Sequence, residues 1–348
     1  MAFTEFGSGS PQAVKRWASQ LMRESFGKMG IRSLIGKGPN ACIQMLTDLD
    51  KNPGDQIKYD LLVQDRSNGV NGDARLKGFE TALTYYQDTL NINQKRHAHS
   101  FKRMSQQRTV HDLRRDGRYS LSEWWSWFME AGLFAHLAGV TGDGNETVSG
   151  ALGGDTGDTD FAGNVITAPD AAHLEATGNA LDINDIDTIV AMAKVNNPRI
   201  APLKINGQER YILYLHPYSA RALRIGAAAG EWAEIHQRAS EAGPNNPIYT
   251  GALGVYNQCI LRESEFVPSN GDLRNNILLG QGAGTIAFGN AWDSGSNNGG
   301  SPFNWKEEEE DYGNEKGVAG VSCLGFKGTQ FNSRAFGRIV LRTTDPAP

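Results

Sequence analysis

Three cysteines in 348 residues, Cys42, Cys259 and Cys323, are odd in number and far apart. Without CxxC spacing they form neither a disulfide framework nor a zinc knuckle, and a reducing compartment suits them. No apolar run reaches the ~18 residues of a membrane span. The longest candidates are interrupted by His136 and His216, so a soluble chain with no membrane partner is expected. Met1 to Pro11 has no basic patch ahead of an apolar stretch, the mark of a secretory signal. Dense cationic blocks are missing too. With 34 Lys and Arg against 39 Asp and Glu the net charge is -5, which argues against tight nucleic-acid binding, because affinity for phosphate backbones comes from clustered cations.

Motifs that carry chemistry are also missing. There is no GxSxG, HExxH or GxxxxGK[ST]. Gly280-Gln281-Gly282-Ala283-Gly284 lacks the third glycine of a dinucleotide loop at its proper spacing and leads into Thr285 to Phe288, so it reads as a turn before a strand. Asp143-Gly144-Asn145 and Asp155 to Asp160 offer hard oxygen ligands without the calcium-loop register or its closing Glu, and read as solvated loop. His97 and His99 share a strand face with no third ligand nearby in sequence. His216-Pro217 reads as turn chemistry at a strand end. The expectation is a protein that is not an enzyme, with no catalytic, cofactor or metal site.

What the chain has is glycine, 41 of 348 residues or about 12% where ~7% is usual, so tight turns and loops are abundant beside a core of ordinary size. The length allows about two domains. Ser10-Pro11 before Val14, Trp17, Leu21 and Met22 predicts an amphipathic helix among glycine hinges, an arm that docks on something else. Ile57, Tyr59, Leu61 and Val63 alternate with polar residues as in a half-exposed strand. Ser67 to Asp73 is turn-forming, and Leu83 to Ile92 is again β-like. Together these predict a long hairpin projecting from the body. Gln107 to Leu137 shows helical spacing and is read as one long helix, with Gly117 as the candidate point of interruption and Ser120 and Glu123 as the capping box that would restart it. Trp124, Trp125 and Trp127 cannot share one stripe, so that helix needs apolar partners on more than one side. Thr141 to Asp160 reads as loop. From about Ala171 the pattern is α/β: helices around Ile186 to Ala193, Ala220 to Ile225 and Trp232 to Ala239, and strands at Tyr211 to Leu215, Cys259 to Leu261 and Thr285 to Phe288. Asn290 to Gly317 reads as a polar stretch in which Glu307 to Asp311 is a solvated, self-repelling run. Strands at Val318 to Phe326 and Gly337 to Arg342 close the chain.

The string Asn246-Pro247-Ile248-Tyr249-Thr250-Gly251-Ala252-Leu253-Gly254-Val255-Tyr256-Asn257, with His216-Pro217, Leu223-Arg224, Trp232 and Ile235 before it, resembles the signature of the major capsid proteins of tailed phages related to coliphage N-four. Gly78-x-Glu80, Gln107-Arg108, Asp112-Leu113-Arg114 and Leu137-Ala138-Gly139 agree. Gln258 departs from it, where relatives commonly carry Gly. The resemblance runs from about Ile57 to Glu265 and leaves the first 56 residues without a counterpart.

The resemblance implies an α+β fold of the Hong Kong 97 type. Its parts would be an N-terminal arm at 1–56, an extended E-loop hairpin at 57–105, a peripheral domain with a long spine helix at 106–170 and 290–348, and an axial domain at 171–289. It implies a major capsid protein that assembles with itself into pentamers and hexamers, and with neighbouring capsomers into an icosahedral virion shell, in the bacterial host cytoplasm. Portal, scaffolding and decoration proteins are further candidate partners. The shell would enclose double-stranded DNA without sequence-specific binding. Under this reading Trp17, Leu21, Ile57, Tyr59, Leu61, Val63, Trp124 and Trp127 are candidate contacts between subunits, with Trp125 and Phe128 in the subunit's own core. A carbohydrate-binding or tail-associated β-rich structural protein is the alternative. Repeats and regularly spaced short strands would mark it, and the sequence has neither.

Overall fold

The computed structural model describes residues 21–38, 40–47, 54, 56–62, 69–73, 75–139, 180–196, 199–205, 207–226, 252–270, 273–289, 303–331 and 334–345. In chain order these give helix α1 (21–28), a 3-10 turn at Gly30–Leu34, strands β1 (Ile35–Gly36), β2 (Ile43–Leu46), β3 (Gln56–Leu62), β4 (Tyr85–Asn91) and β5 (Asn93–Lys102), and helices α2 (Arg103–Arg108) and α3 (Leu113–Ala138). There follow α4 (Ile183–Val195), β6 (Leu203–Ile205), β7 (Gln208–Leu215), α5 (Pro217–Gly226), β8 (Ala252–Tyr256), β9 (Cys259–Glu263), β10 (Ser269–Asn270), β11 (Leu273–Leu279) and β12 (Gly284–Phe288). The chain closes with β13 (Phe303–Glu310), β14 (Glu315–Gly328), β15 (Gln330–Phe331), β16 (Arg334–Ala335) and β17 (Arg338–Thr344).

Helix α3 organises one half. Its 26 residues span ~39 Å at 1.5 Å per residue. Asp112 caps it, accepting from the backbone N–H of Arg114 and Arg115, and Gly139 ends it in the left-handed region at φ 63°. The expected interruption near Gly117 is displaced: α2 and α3 are separated at 109–112, and the helix runs through Gly117 and Ser120. Gly117 is there for proximity, because a Cβ would stand 3.1 Å from Val318 Cγ2 on β14. A second glycine, Gly320, admits Trp125, whose Nε1 would lie 2.6 Å from an added Cβ. The helix therefore lies close against β14.

Strand β14 is the spine of the first sheet. β5 pairs with it from Glu315↔Lys102 to Leu324↔Asn93, and β13 from Glu310↔Glu315 to Phe303↔Ser322. Since both partners occupy the same stretch of β14, they lie on its opposite sides. Further along, β12 pairs with 324–328 and β2 runs parallel to β12.

The second sheet has the order β10-β11-β7-β9-β8, with β17 on β11 and β6 on β7. Strand β7 shows why it is covered on both faces. Tyr211, Leu213 and Leu215 meet Ile186, Ile189 and Val190 of α4 and Leu223 of α5, whereas Ile212 and Tyr214 join the core of α3. The Tyr214 ring stands 5.0 Å from that of Phe134.

Four expectations change. Residues 21–46 are not a free arm: Leu21 is 0% exposed, Glu24 pairs with Arg118 at 3.0 Å, Lys28 donates to Ser122 Oγ at 2.9 Å and the Gly30 N–H donates to Glu130 at 3.2 Å. Leu21 and Met22, the described members of the apolar row, pack in the core that α3 shares. Residues 93–105 do not project, because β5 spends its hydrogen bonds on β14. The acidic run belongs to strand β13, its backbone paired with β14 while its carboxylates stay exposed. Finally, β12 lies in the first sheet and β17 in the second, so the chain crosses between the two halves on either side of the division drawn at 289/290. The turn at Gly280 to Gly284 is as read, with Gly282 at φ 65°. Trp17, Val63, 141–160, 232–239 and 246–251 lie outside the described residues.

Candidate assembly surfaces

The hairpin β3–β4 has a fixed root and an exposed far end. Gln56↔Asn91 to Leu62↔Tyr85 pair antiparallel. In β3, Ile57, Tyr59 and Leu61 face inward with burial that fades along the strand. Ile57 and Leu90 pack on Ala287 of β12, with Leu46, Tyr59 and Ile92 around them.

Below them is a buried polar network. Asp88 and Lys327, with side chains 6% and 4% exposed, form an ion pair at 2.7 Å. Tyr59 Oη donates to Asp88 Oδ2 at 2.5 Å, the Gln330 N–H donates to the same oxygen at 3.0 Å, and Lys327 Nζ also donates to the Thr89 carbonyl at 2.9 Å. Burial first, then the Asp88 carboxylate, push the Tyr59 hydroxyl upward and keep it protonated. The Tyr59 ring meets Phe331 edge-on at 6.0 Å. A charge pair with its remaining hydrogen bonds filled holds its members in one geometry, so the hairpin leaves the body at a fixed angle.

Beyond the root large apolar side chains stand mostly in solvent. Leu62, Leu76, Phe79, Leu83 and Tyr85 are 51%, 60%, 73%, 66% and 56% exposed. The row read from sequence is thus the inward row: Ile57 is a root residue, Tyr59 and Leu61 are half-buried, and the exposed apolar surface lies at and past the strand ends. Its members Leu76, Phe79 and Leu83 fall in irregular chain, where no periodicity marks them. The legible signal was large apolar residues among glycines and charges with no partner segment in sequence.

The tryptophans of α3 divide as their spacing required. Trp125 is fully buried and meets Phe303 edge-on at 5.0 Å. Trp124 is half-buried, stacked between His97 at 4.3 Å and Phe128 at 5.0 Å, so its ring faces are taken within the subunit. Trp127 is 38% exposed and remains available to a neighbour. His97 and His99 lie 5.1 Å apart, and among the described residues no group of three His, Cys, Asp or Glu converges. His216 accepts the Tyr218 N–H at Nδ1, 3.2 Å away, at the start of α5, which is turn chemistry as expected.

The family described as phage capsid protein matches residues 5–345. A curated relative, the major capsid protein of Pseudomonas phage KPP25, is 26% identical, the alignment covering 95% of this chain and 93% of the relative. The solved capsid of Ralstonia phage GP4 is 30% identical with a TM-score of 0.73, covering 100% of this chain and 99% of that one. The capsid asymmetric unit of cyanophage Pam1 is 16% identical with a TM-score of 0.69, covering 100% and 95%. No helix among the described residues is long and apolar enough to cross a membrane.

Proposed function

The chain belongs to the phage capsid protein family, and from that premise we propose that each subunit builds the shell by laying the β3–β4 hairpin on an adjacent copy. It is a major capsid protein of Hong Kong 97 type fold, a virion component forming the icosahedral shell around packaged double-stranded DNA. The observation that carries the hairpin's role is the contrast between its ends, an ion-paired root and a far end with five exposed large apolar side chains. Each such side chain gives ~1.5–3 kcal/mol when fully removed from water, so covering a few of them offsets much of the cost of association. The hairpin and the surface that receives it are different parts of the subunit. The contact is therefore heterologous, and such contacts close into rings, here hexamers and pentamers.

Trp127 contributes to the same contacts, and Trp17 and Val63 remain candidates. Leu21, Ile57 and Trp124 act inside the subunit. Portal, scaffolding and decoration proteins and assembly in the host cytoplasm complete the proposal.

The test is Phe79→Ser with Leu83→Ser. Phe79 and Leu83 are exposed and join no buried cluster among the described residues, so the variant should keep the wild-type circular dichroism and melting temperature while negative-stain microscopy finds no shells. Shells at wild-type yield would refute the role of the hairpin.

A further inference from the structure

The face of the first sheet turned away from α3 carries opposite charges at its two edges. Side chains directly across a ladder share a face, so the registers define rows running from β13 through β14 to β5. Glu310, Glu315 and Lys102 form one row, Glu308, Gly317 and Ser100 the next, then Lys306, Ala319 and Ala98, and then Asn304, Val321 and Arg96. Arg114 of α3 reaches Glu307, two residues before Glu309 on the other side of β13, which fixes which face is free of the helix. Near the tip the β13 edge is acidic. The β5 edge is basic, and it continues into Arg103 and Arg108 of α2, both exposed.

The charges inside the subunit do not balance across this face. Glu310 stands directly opposite Glu315, a like-charge pair that destabilises a sheet. Glu315 is relieved by Lys102 at 3.1 Å, and Glu309, on the helix side, by Lys316 at 2.8 Å. Glu308 and Glu310 form no ion pair among the described residues, and neither do Arg96, Arg103 and Arg108. β13 is moreover an edge strand, paired with β14 alone. Between the edges Ala98, Ser100, Gly317 and Ala319 leave the face flat.

We propose that the acidic β13 edge of one copy docks on the basic β5–α2 edge of the next, Glu308 and Glu310 meeting Arg103 and Arg108. The occupant is a second copy because each edge carries the charge that the other lacks. A head-to-tail rotation presents acid to base at every junction and can close into a ring. This contact is separate from the hairpin, and it rests on the reading of the chain as a self-assembling shell subunit.

Three full-length variants test it beside the wild type: Glu308→Arg with Glu310→Arg, Arg103→Glu with Arg108→Glu, and all four changes together. Either pair of changes alone should weaken each junction about tenfold, equivalent to ~1.4 kcal/mol, and remove most of the shells seen in a sucrose gradient. The fourfold exchange restores acid against base and should return the shells. The disassembled subunits should keep the wild-type circular dichroism in all four chains, because the exchanged side chains form no ion pair among the described residues, and the chains with Glu310→Arg should melt no lower than the wild type, since the change removes a like charge opposite Glu315. Wild-type shell yields from both half-exchanged chains, or a fourfold exchange that folds normally but stays disassembled, would overturn the inference and leave the capsid reading intact. A wild-type chain that forms no shells would overturn the capsid reading, and this inference with it.

Discussion

Arg338 lies fully buried against the C-terminal end of α3, its Nη1 donating to the carbonyl oxygens of His136 at 2.6 Å and Leu137 at 3.3 Å. A cation at the last carbonyls of a helix suits the helix dipole, and here it also sets the charge state of its neighbour. The same dipole favours a protonated His136, yet burial, followed by the positive charges of Arg338 and Lys327, lowers that imidazole from 6.5 to about 4. Desolvation wins because His136 is 4% exposed and its Nε2 has no hydrogen-bond partner among the described residues. The unfolded chain takes up this proton near pH 6.5, the folded one only near pH 4, so the unfolded state holds more protons in between. The stability is complete above pH 6.5 and is lost as the pH falls through that window, a change of ~3 kcal/mol. Denaturant titrations from pH 7 to pH 4 on wild type and His136→Leu should show the acid limb shallower in the variant. Equal slopes would mean that the folded protein protonates this ring freely.

The hairpin works as an element through its root. Removing one member of a buried ion pair strands the other in a medium that cannot solvate it, at a typical cost of ~3–5 kcal/mol. Lys327→Met should therefore cost about that much in urea-unfolding free energy, and Asp88→Asn a comparable amount, since Lys327 would be left buried without its counter-ion. The double change should cost less than the sum of the two, as coupled partners do. Additive losses would show that the pair does not lock the root. None of this network was visible in sequence, where Asp88 and Lys327 are 239 residues apart and neither sits in a motif. The strands that meet there were legible: Ile57, Tyr59 and Leu61 announced β3 by alternation, and Tyr211 to Leu215 announced β7 by a continuous apolar run that two covered faces require. β13 was not legible, because four consecutive glutamates favour solvent over any strand. Its pairing is imposed from outside the segment, by Phe303 and Trp305, which anchor one end in the core at 0% and 1% exposure.

At the scale of the molecule, surface charge decides how a container treats its contents. The chain carries -5 overall, several of its cations are already bound to carboxylates, as in Arg118 with Glu24 and Arg114 with Glu307, and Glu308 and Glu310 add exposed negative charge on β13. Gripping a duplex takes several cations on one surface, each releasing a counterion from the phosphate backbone. A shell of such subunits is expected to confine DNA by closure rather than by adhesion. Folded subunits should accordingly bind a labelled duplex of random sequence no better than ~100 µM at physiological salt, the weak limit of sequence-independent binding. Fluorescence anisotropy across a salt series checks this. A micromolar dissociation constant that weakens steeply with salt would reveal a cationic track on the subunit and put adhesion, rather than enclosure, at the centre of how this shell holds its genome.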